Sequence, residues 1–174
     1  EGIAAVQEVL RAVDLSLPKT PARALASLVF RRTQLSLRGL GFSQRSADEV
    51  DPEELTRIDV CWSIANGLGA VDVVRGTDFQ IRHLLYALRA GEPSRISRAI
   101  AWEAVLGVLE ERHCDRQPGH QRASELAKSI DDPQALAWAA GAEAGVAFYS
   151  YRFRDAVTLV DRAVNMFRDT SRDI

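Results

Sequence analysis

The stretch VDVVRGTDFQIRHLLYALRAGEP, Val71 to Pro93, decides how this chain is read. It holds an Arg-Gly-Thr-Asp run, a histidine and a tyrosine, the residue types of a reactive loop. Its periodicity argues for a helix instead. From Asp78 onward Phe79, Leu84, Leu85 and Leu88 gather on one side of a 3.6-residue repeat, and Arg82 and Arg89 fall toward the other. Gly76 reads as a sharp break, Thr77 as the cap of a helix starting there, and Asp78 as the acid that complements its dipole. His83 sits at the edge of the stripe, where a lone histidine reads as a hydrogen-bonded or solvated side chain rather than a base or ligand. Ala90-Gly91 ends the helix and Glu92-Pro93 opens the next.

The same punctuation recurs outward from this stretch. Asp51-Pro52, Glu92-Pro93 and Asp132-Pro133 each set an acid before a proline, and the prolines lie 41 and 40 residues apart. Proline suits the first helical position, where its missing N–H leaves nothing unsatisfied, and the acid before it can accept from the free N–H groups of the first turn. For the weaker glutamate cap, Gly91 or Ser94 shares the task. Trp62 and Trp102 follow their prolines by ten and nine residues, and each has a glycine five further on, Gly67 and Gly107; Trp138 and Gly145 form a looser third copy. A beat of about 40 residues is the mark of stacked helical hairpins, each unable to bury its apolar face alone.

Apolar periodicity divides each unit into two helices. Leu55, Ile58, Cys61, Trp62 and Ala65 precede the Phe79 set; Ile96 to Leu109 pairs with a shorter helix through Ala123, Leu126, Ala127 and Ile130; Ala135 to Phe148 pairs with Ala156, Val160, Ala163 and Phe167. Two further amphipathic helices, Ile3 to Val13 and Pro21 to Leu37, lead the chain, and Gly39 to Val50 is the one long irregular connection, expected to be its mobile place. The expected architecture is all-α: a tetratricopeptide-like α-solenoid of about four antiparallel hairpins in one helical-repeat domain, 1–174. Its parts are a leading pair 1–38, a loop 39–51, and repeat units 52–90, 92–130 and 132–169. The start at Glu1 and the stop at SRDI lead to the expectation of a fragment of a larger protein.

Bulk properties narrow the function. With 174 residues, 47% hydrophobic and 26% charged, the chain can bury roughly two thirds of its unfolded surface. A net charge of −2 supplies no strong field for nucleic acid or anionic lipid. Two cysteines, Cys61 and Cys114, form no disulfide framework, and no run approaches a membrane span, so a cytoplasmic setting without membrane contact is expected.

Candidate chemistry is sparse. HCDRQPGH offers only His113, Cys114 and His120 as metal donors, two of them adjacent and all beside a Pro118-Gly119 turn, which reads as an inter-helix loop. No phosphate-binding glycine loop, dinucleotide fingerprint or nucleophile with a base at a telling spacing is present, so neither cofactor, metal nor catalytic residue is assigned. ALAWAAGAEAGVAF, 135–148, is nearly all small residues, with Gly141 and Gly145 at close-packing spacing; within it Glu143, if buried, needs Arg98, Arg152 or Arg162. Arg95, Arg98 and Glu103 lie on the first helix of the second unit, where stacked hairpins commonly present their concave surface, and they are the candidate protein-binding anchors.

At ELTRIDVCWSIANGLGAVD, at RGTDFQIRHLLYALRAGEPSRISRAIAWEA and again at GVAFYSYRFRDAV, the chain resembles the helical-repeat region of large multidomain bacterial serine/threonine kinases. In these a kinase domain and a nucleotide-binding ATPase domain precede tetratricopeptide-like repeats. The likeness covers roughly residues 52–169. Ala156, Val160 and Ala163 fit the small-large-small positions of a second repeat helix, but the first helices are out of phase and no kinase motif is present. The resemblance implies a signalling kinase as parent and a non-catalytic interaction or regulatory scaffold here, binding a protein or peptide partner. A sensor that binds a small ligand or peptide and controls an adjacent ATPase or kinase domain is the alternative, and a homodimer is a third expectation.

Overall fold

The computed structural model describes residues 2–109 and 119–170. Among them are eight α-helices and no strand: α1 Gly2–Ala12, α2 Pro21–Arg38, α3 Pro52–Gly69, α4 Val73–Ala90, α5 Pro93–Leu109, α6 Gly119–Ser129, α7 Pro133–Tyr149 and α8 Phe153–Thr170. The chain divides into two compact units, Glu1–Glu92 and Pro93–Ile174.

The local signals set the helix starts. Asp51 Oδ1 accepts from the Glu53 N–H at 2.9 Å ahead of Pro52, and Asp132 Oδ1 accepts from Gln134 and Ala135 at 2.9 and 3.0 Å ahead of Pro133. Ser94 turns its hydroxyl to the second oxygen of Asp132, so one carboxylate ties the first turns of α5 and α7 together. Gly91, at φ +83°, closes α4 in the left-handed conformation instead of capping α5.

Gly76 and Thr77 are not a break. Helix α4 starts three residues earlier, capped by Asp72, whose Oδ1 accepts from the Arg75 N–H at 3.1 Å, and it runs unbroken to Ala90. The glycine is needed for proximity: a Cβ on Gly76 would lie 2.7 Å from the Gly69 Cα and 2.8 Å from its nitrogen. Gly76 is thus the point where α4 crosses closest to the end of α3.

In the first unit α4 packs against both α2 and α3, and α1 rests on α3. Leu10, Cys61, Ile64, Ala65 and Phe79 form a core cluster, flanked by Val6, Leu15, Leu17, Val60, Leu68 and Tyr86. Because α4 is enclosed nearly all round, polar residues that its periodicity sets away from the stripe are buried too. Arg82, expected on the open side, is only 5% exposed. It is held by Asp78 at 2.8 Å, by the Ser16 carbonyl at 3.1 Å and over the Phe79 ring at 4.4 Å. The Ser27 hydroxyl donates to Asp78 at 2.7 Å and Arg31 approaches it at 3.4 Å. Burial, and then repulsion from Arg82, hold the Arg31 guanidinium below its usual pKa, with Asp78 opposing. His83 is fully buried, 3.3 Å from Gln80 Oε1 and against the Trp62 ring at 5.4 Å, so it is a spine residue and not an edge one.

In the second unit α7 touches α5, α6 and α8, which accounts for its lack of a polar face. The core is largely alanine: Ala99, Ala101, Ala123, Ala127, Ala137, Ala142, Ala147, Ala156 and Ala163 are all buried, which lets helix axes approach closely. Of the two glycines at close-packing spacing only Gly145 makes the contact, since a Cβ there would meet Val105 at 3.2 Å, whereas one on Gly141 would meet nothing within 4 Å. Trp138 packs edge-on against Phe167 at 4.9 Å, joining α7 to α8.

Candidate functional site

The segment between α2 and α3, expected to be mobile, is tied down at both ends. Arg38, in the last turn of α2, donates from Nη1 to the carbonyls of Gly39 and Gly41 at 3.1 and 2.9 Å, and from Nη2 to the Leu88 carbonyl at 2.9 Å. That last bond meets the carbonyl-rich C-terminal end of α4, where a cation is favoured by the helix dipole. The Arg45 N–H donates to the Gly91 carbonyl at 2.9 Å, and its guanidinium reaches the Glu49 carbonyl. The loop lies so close to Gly91 that a Cβ there would fall 2.2 Å from the Ser43 oxygen. A single 3-10 turn, Ala47–Glu49, completes it, with the Ser46 N–H and hydroxyl donating to Glu49 Oε2 at 2.8 and 2.9 Å.

These contacts frame an open cleft of about 600 Å³ lined by Arg38, Gly41, Phe42, Ser43, Arg45, Leu88 and Arg89. Among the described residues three arginines line it and no carboxylate does. Just outside the lining, hydrogen bonds from Ser46 hold both the Asp48 and Glu49 carboxyls below their usual pKa, and Arg45 acts on Glu49 in the same direction. Arg89 is exposed with its guanidinium 6.0 Å from the Tyr86 ring, while Phe42 and Leu88 add apolar wall. Guanidinium groups bonded to backbone carbonyls are fixed in place but keep their charge. The cleft is therefore equipped to receive an anionic group beside an apolar one.

The residues singled out from sequence lie elsewhere. Arg95, Arg98 and Glu103 are all on α5, yet each is half-buried and already engaged by other groups, with Arg98 Nε and Glu103 Oε2 shielded from solvent. At 100° per residue Glu103 stands about 140° around the helix from Arg98, so the three do not form one open strip. Glu143 is half-buried on α7 and acts on His120 of α6. Burial, the larger influence, holds the His120 imidazole below its usual pKa, and Glu143 opposes it. Arg152, one of the three partners considered for Glu143, pairs with Asp155 at 3.1 Å.

His113 and Cys114 lie outside the described residues. Among the described residues no group of three or more His, Cys, Asp or Glu is placed to hold a metal, and no helix is long and apolar enough to cross a membrane. Cys61 is a buried free thiol whose pKa burial pushes up to about 12.

Sequence reasoning missed the cleft because its arginines come from positions 38, 45 and 89. The one available signal was an arginine in the last turn of a helix just before Gly39, with a second soon after it in the loop. Comparison of the chain with protein-family models, with curated proteins and with solved structures found no match in any of the three.

Proposed function

We propose that this chain is a non-catalytic protein-interaction domain whose arginine-lined cleft receives an acidic, partly apolar segment of a protein partner. The observation that carries the reading is the cleft itself: Arg38, Arg45 and Arg89 converge with Phe42 and Leu88, and among the described residues no acid, histidine or thiol lines the space. Such a surface binds through guanidinium charge and apolar contact. Hairpin packing within the second unit supports the wider expectation of a tetratricopeptide-like array: α6 and α5 both rest on α7, as consecutive hairpins in a stack would. The resemblance to the repeat region of bacterial signalling kinases extends the reading to a regulatory scaffold in a cytoplasmic kinase parent.

Fluorescence anisotropy tests it with a labelled peptide that alternates Glu with Leu and Phe, compared with its Gln counterpart. The acidic peptide should bind at least tenfold tighter, its affinity should fall with salt, and Arg89→Glu, at an exposed site, should abolish the preference. Equal binding of the two peptides, or indifference to Arg89→Glu, removes the proposal. The sensor reading draws on the cleft's volume of about 600 Å³, which suits a small ligand. It is favoured if citrate or phosphate raises the melting temperature through the cleft while neither peptide binds.

A further inference from the structure

The apolar side of helix α8 spans about half its circumference, and among the described residues only one flank of it is covered. Ala156 and Ala163 are buried, with Leu159, Met166 and Phe167 half-buried beside them. The other flank carries Phe153 at 53% exposure, Val157 at 64%, Val160 at 48% and Val164 at 39%. Their steps of four, three and four residues are those of a coiled-coil seam, with β-branched valine at three of its four positions. Exposed Phe148 and Tyr151 extend the stripe at the start of α8, with ring centres 5.6 and 6.1 Å from Phe153.

The corresponding face of the preceding hairpin is occupied. At the 40-residue spacing Ala163 of α8 matches Ala123 of α6, and Val160 matches His120. His120 is half-buried and lies in the field of Glu143 on α7. A helix therefore packs over that side of α6, and the matching side of α8 carries valine where α6 carries histidine.

Charge selects the occupant. Arg154 and Asp161, both exposed, flank the stripe on one edge, one heptad apart; the other edge is formed by Ala156 and Ala163. We propose that the stripe is a self-association surface, on which α8 pairs antiparallel with α8 of a second copy about a two-fold axis between Val157 and Val160. Each Val157 then lies beside Val160 of the second copy, each Phe153 beside its Val164, and each Arg154 faces its Asp161. A parallel pair would set these charges against alanine and gain nothing from them. Such exposed pairs add little energy but fix orientation. With the axis between Val157 and Val160 the two copies of α8 overlap from Phe153 to Val164, 12 residues or about 18 Å, and such a seam buries on the order of 700 Å², the size of a weak, transient contact. Area does not set affinity, but a seam this small is expected to be weak, with a dissociation constant on the order of tens of µM.

Sedimentation velocity of the whole chain from about 1 to 200 µM should show a monomer–dimer equilibrium spanning that constant. Val160→Glu, at an exposed site, should weaken it at least tenfold while the helical circular dichroism is retained. Arg154→Asp and Asp161→Arg should each dimerise more weakly alone, yet form a heterodimer of parental affinity when mixed, because both contacts in the mixed pair then join opposite charges. A chain monomeric throughout the range overturns the proposal, as does a dimer indifferent to Val160→Glu or a mixture of the two charge variants that associates no more tightly than either alone. A monomer that binds anionic vesicles in a Val160-dependent way assigns the stripe to a membrane surface and equally sinks it. None of these variants touches the arginine-lined cleft, so this surface and that one stand or fall separately.

Discussion

Replacing Gly76 by alanine should destabilise the protein, although alanine is the better helix former. The gain is the usual one for removing a glycine from a helix, about 0.5–1 kcal/mol this close to the N-terminus. Against it stands the geometry of the crossing. The new methyl would sit 2.7 and 2.8 Å from the Gly69 backbone and 3.3 Å from the Ala65 carbonyl, and neither neighbour is a flexible side-chain tip that could swing away. Ordinary carbon contacts begin near 3.5 Å, so α3 and α4 must separate by about 0.7 Å. That gap forfeits a quarter or more of the dispersion energy of each contact it opens, in a cluster that includes Ala65, Ile64 and Phe79. Overpacking of this kind typically costs about 1–3 kcal/mol, leaving a net loss of up to about 2.5 kcal/mol. Gly141→Ala is the matched control, because a methyl there meets nothing within 4 Å and should stabilise by about 0.5–1 kcal/mol. Urea denaturation followed at 222 nm reads both as midpoint shifts of opposite sign at unchanged slope. A Gly76→Ala midpoint at or above that of the parent would refute the close-crossing argument.

Three further outcomes are expected. Asp78→Asn leaves the buried Arg82 and its neighbour Arg31 without the carboxylate they share, at a cost of about 3–5 kcal/mol in denaturant midpoint, and adding Arg82→Met should return part of it. His120 has a folded pKa below its unfolded one, so the unfolded chain takes up protons first as the solution is acidified. Its stabilising contribution is full above the unfolded imidazole pKa and is lost as pH falls through the folded value. Because Glu143 opposes that shift, Glu143→Gln should lower the His120 pKa further in an NMR titration, and an unchanged or raised value would show that the two do not interact. With its thiol pushed up to about 12, Cys61 in a Cys114→Ser background should resist Ellman's reagent at pH 8 until denaturant unfolds the chain; prompt native-state reaction would contradict the burial.

Much of the fold was legible because its signals act over three or four residues. Asp51-Pro52 and Asp132-Pro133 start helices for reasons confined to one turn, and the Phe79, Leu84, Leu85, Leu88 stripe is a property of a single helix. Where reasoning relied on one helix's polar side, it failed at α4. Arg82 and His83 face inward because other helices enclose α4 on more than its apolar face, and periodicity records only the element that carries it. The glycines divide in the same way. Gly76 resembled a hinge and is a crossing point, and of Gly141 and Gly145 only the second meets a neighbour, since the difference lies in what stands opposite.

By itself, then, the sequence determined an all-helical chain, the places where most of its helices begin, and a core made largely of the residues at helical spacing. Those follow from backbone capping and apolar periodicity, which are local and additive enough to read in one dimension. Only the tertiary structure decided that Arg38, Arg45 and Arg89 share a cleft, that Asp78 gathers Ser27, Arg31 and Arg82, and that one flank of the apolar side of α8 stays exposed among the described residues. Each of these joins residues far apart in the chain or depends on which faces find partners. Such outcomes are fixed by how helices pack on one another and not by the pattern within any one of them.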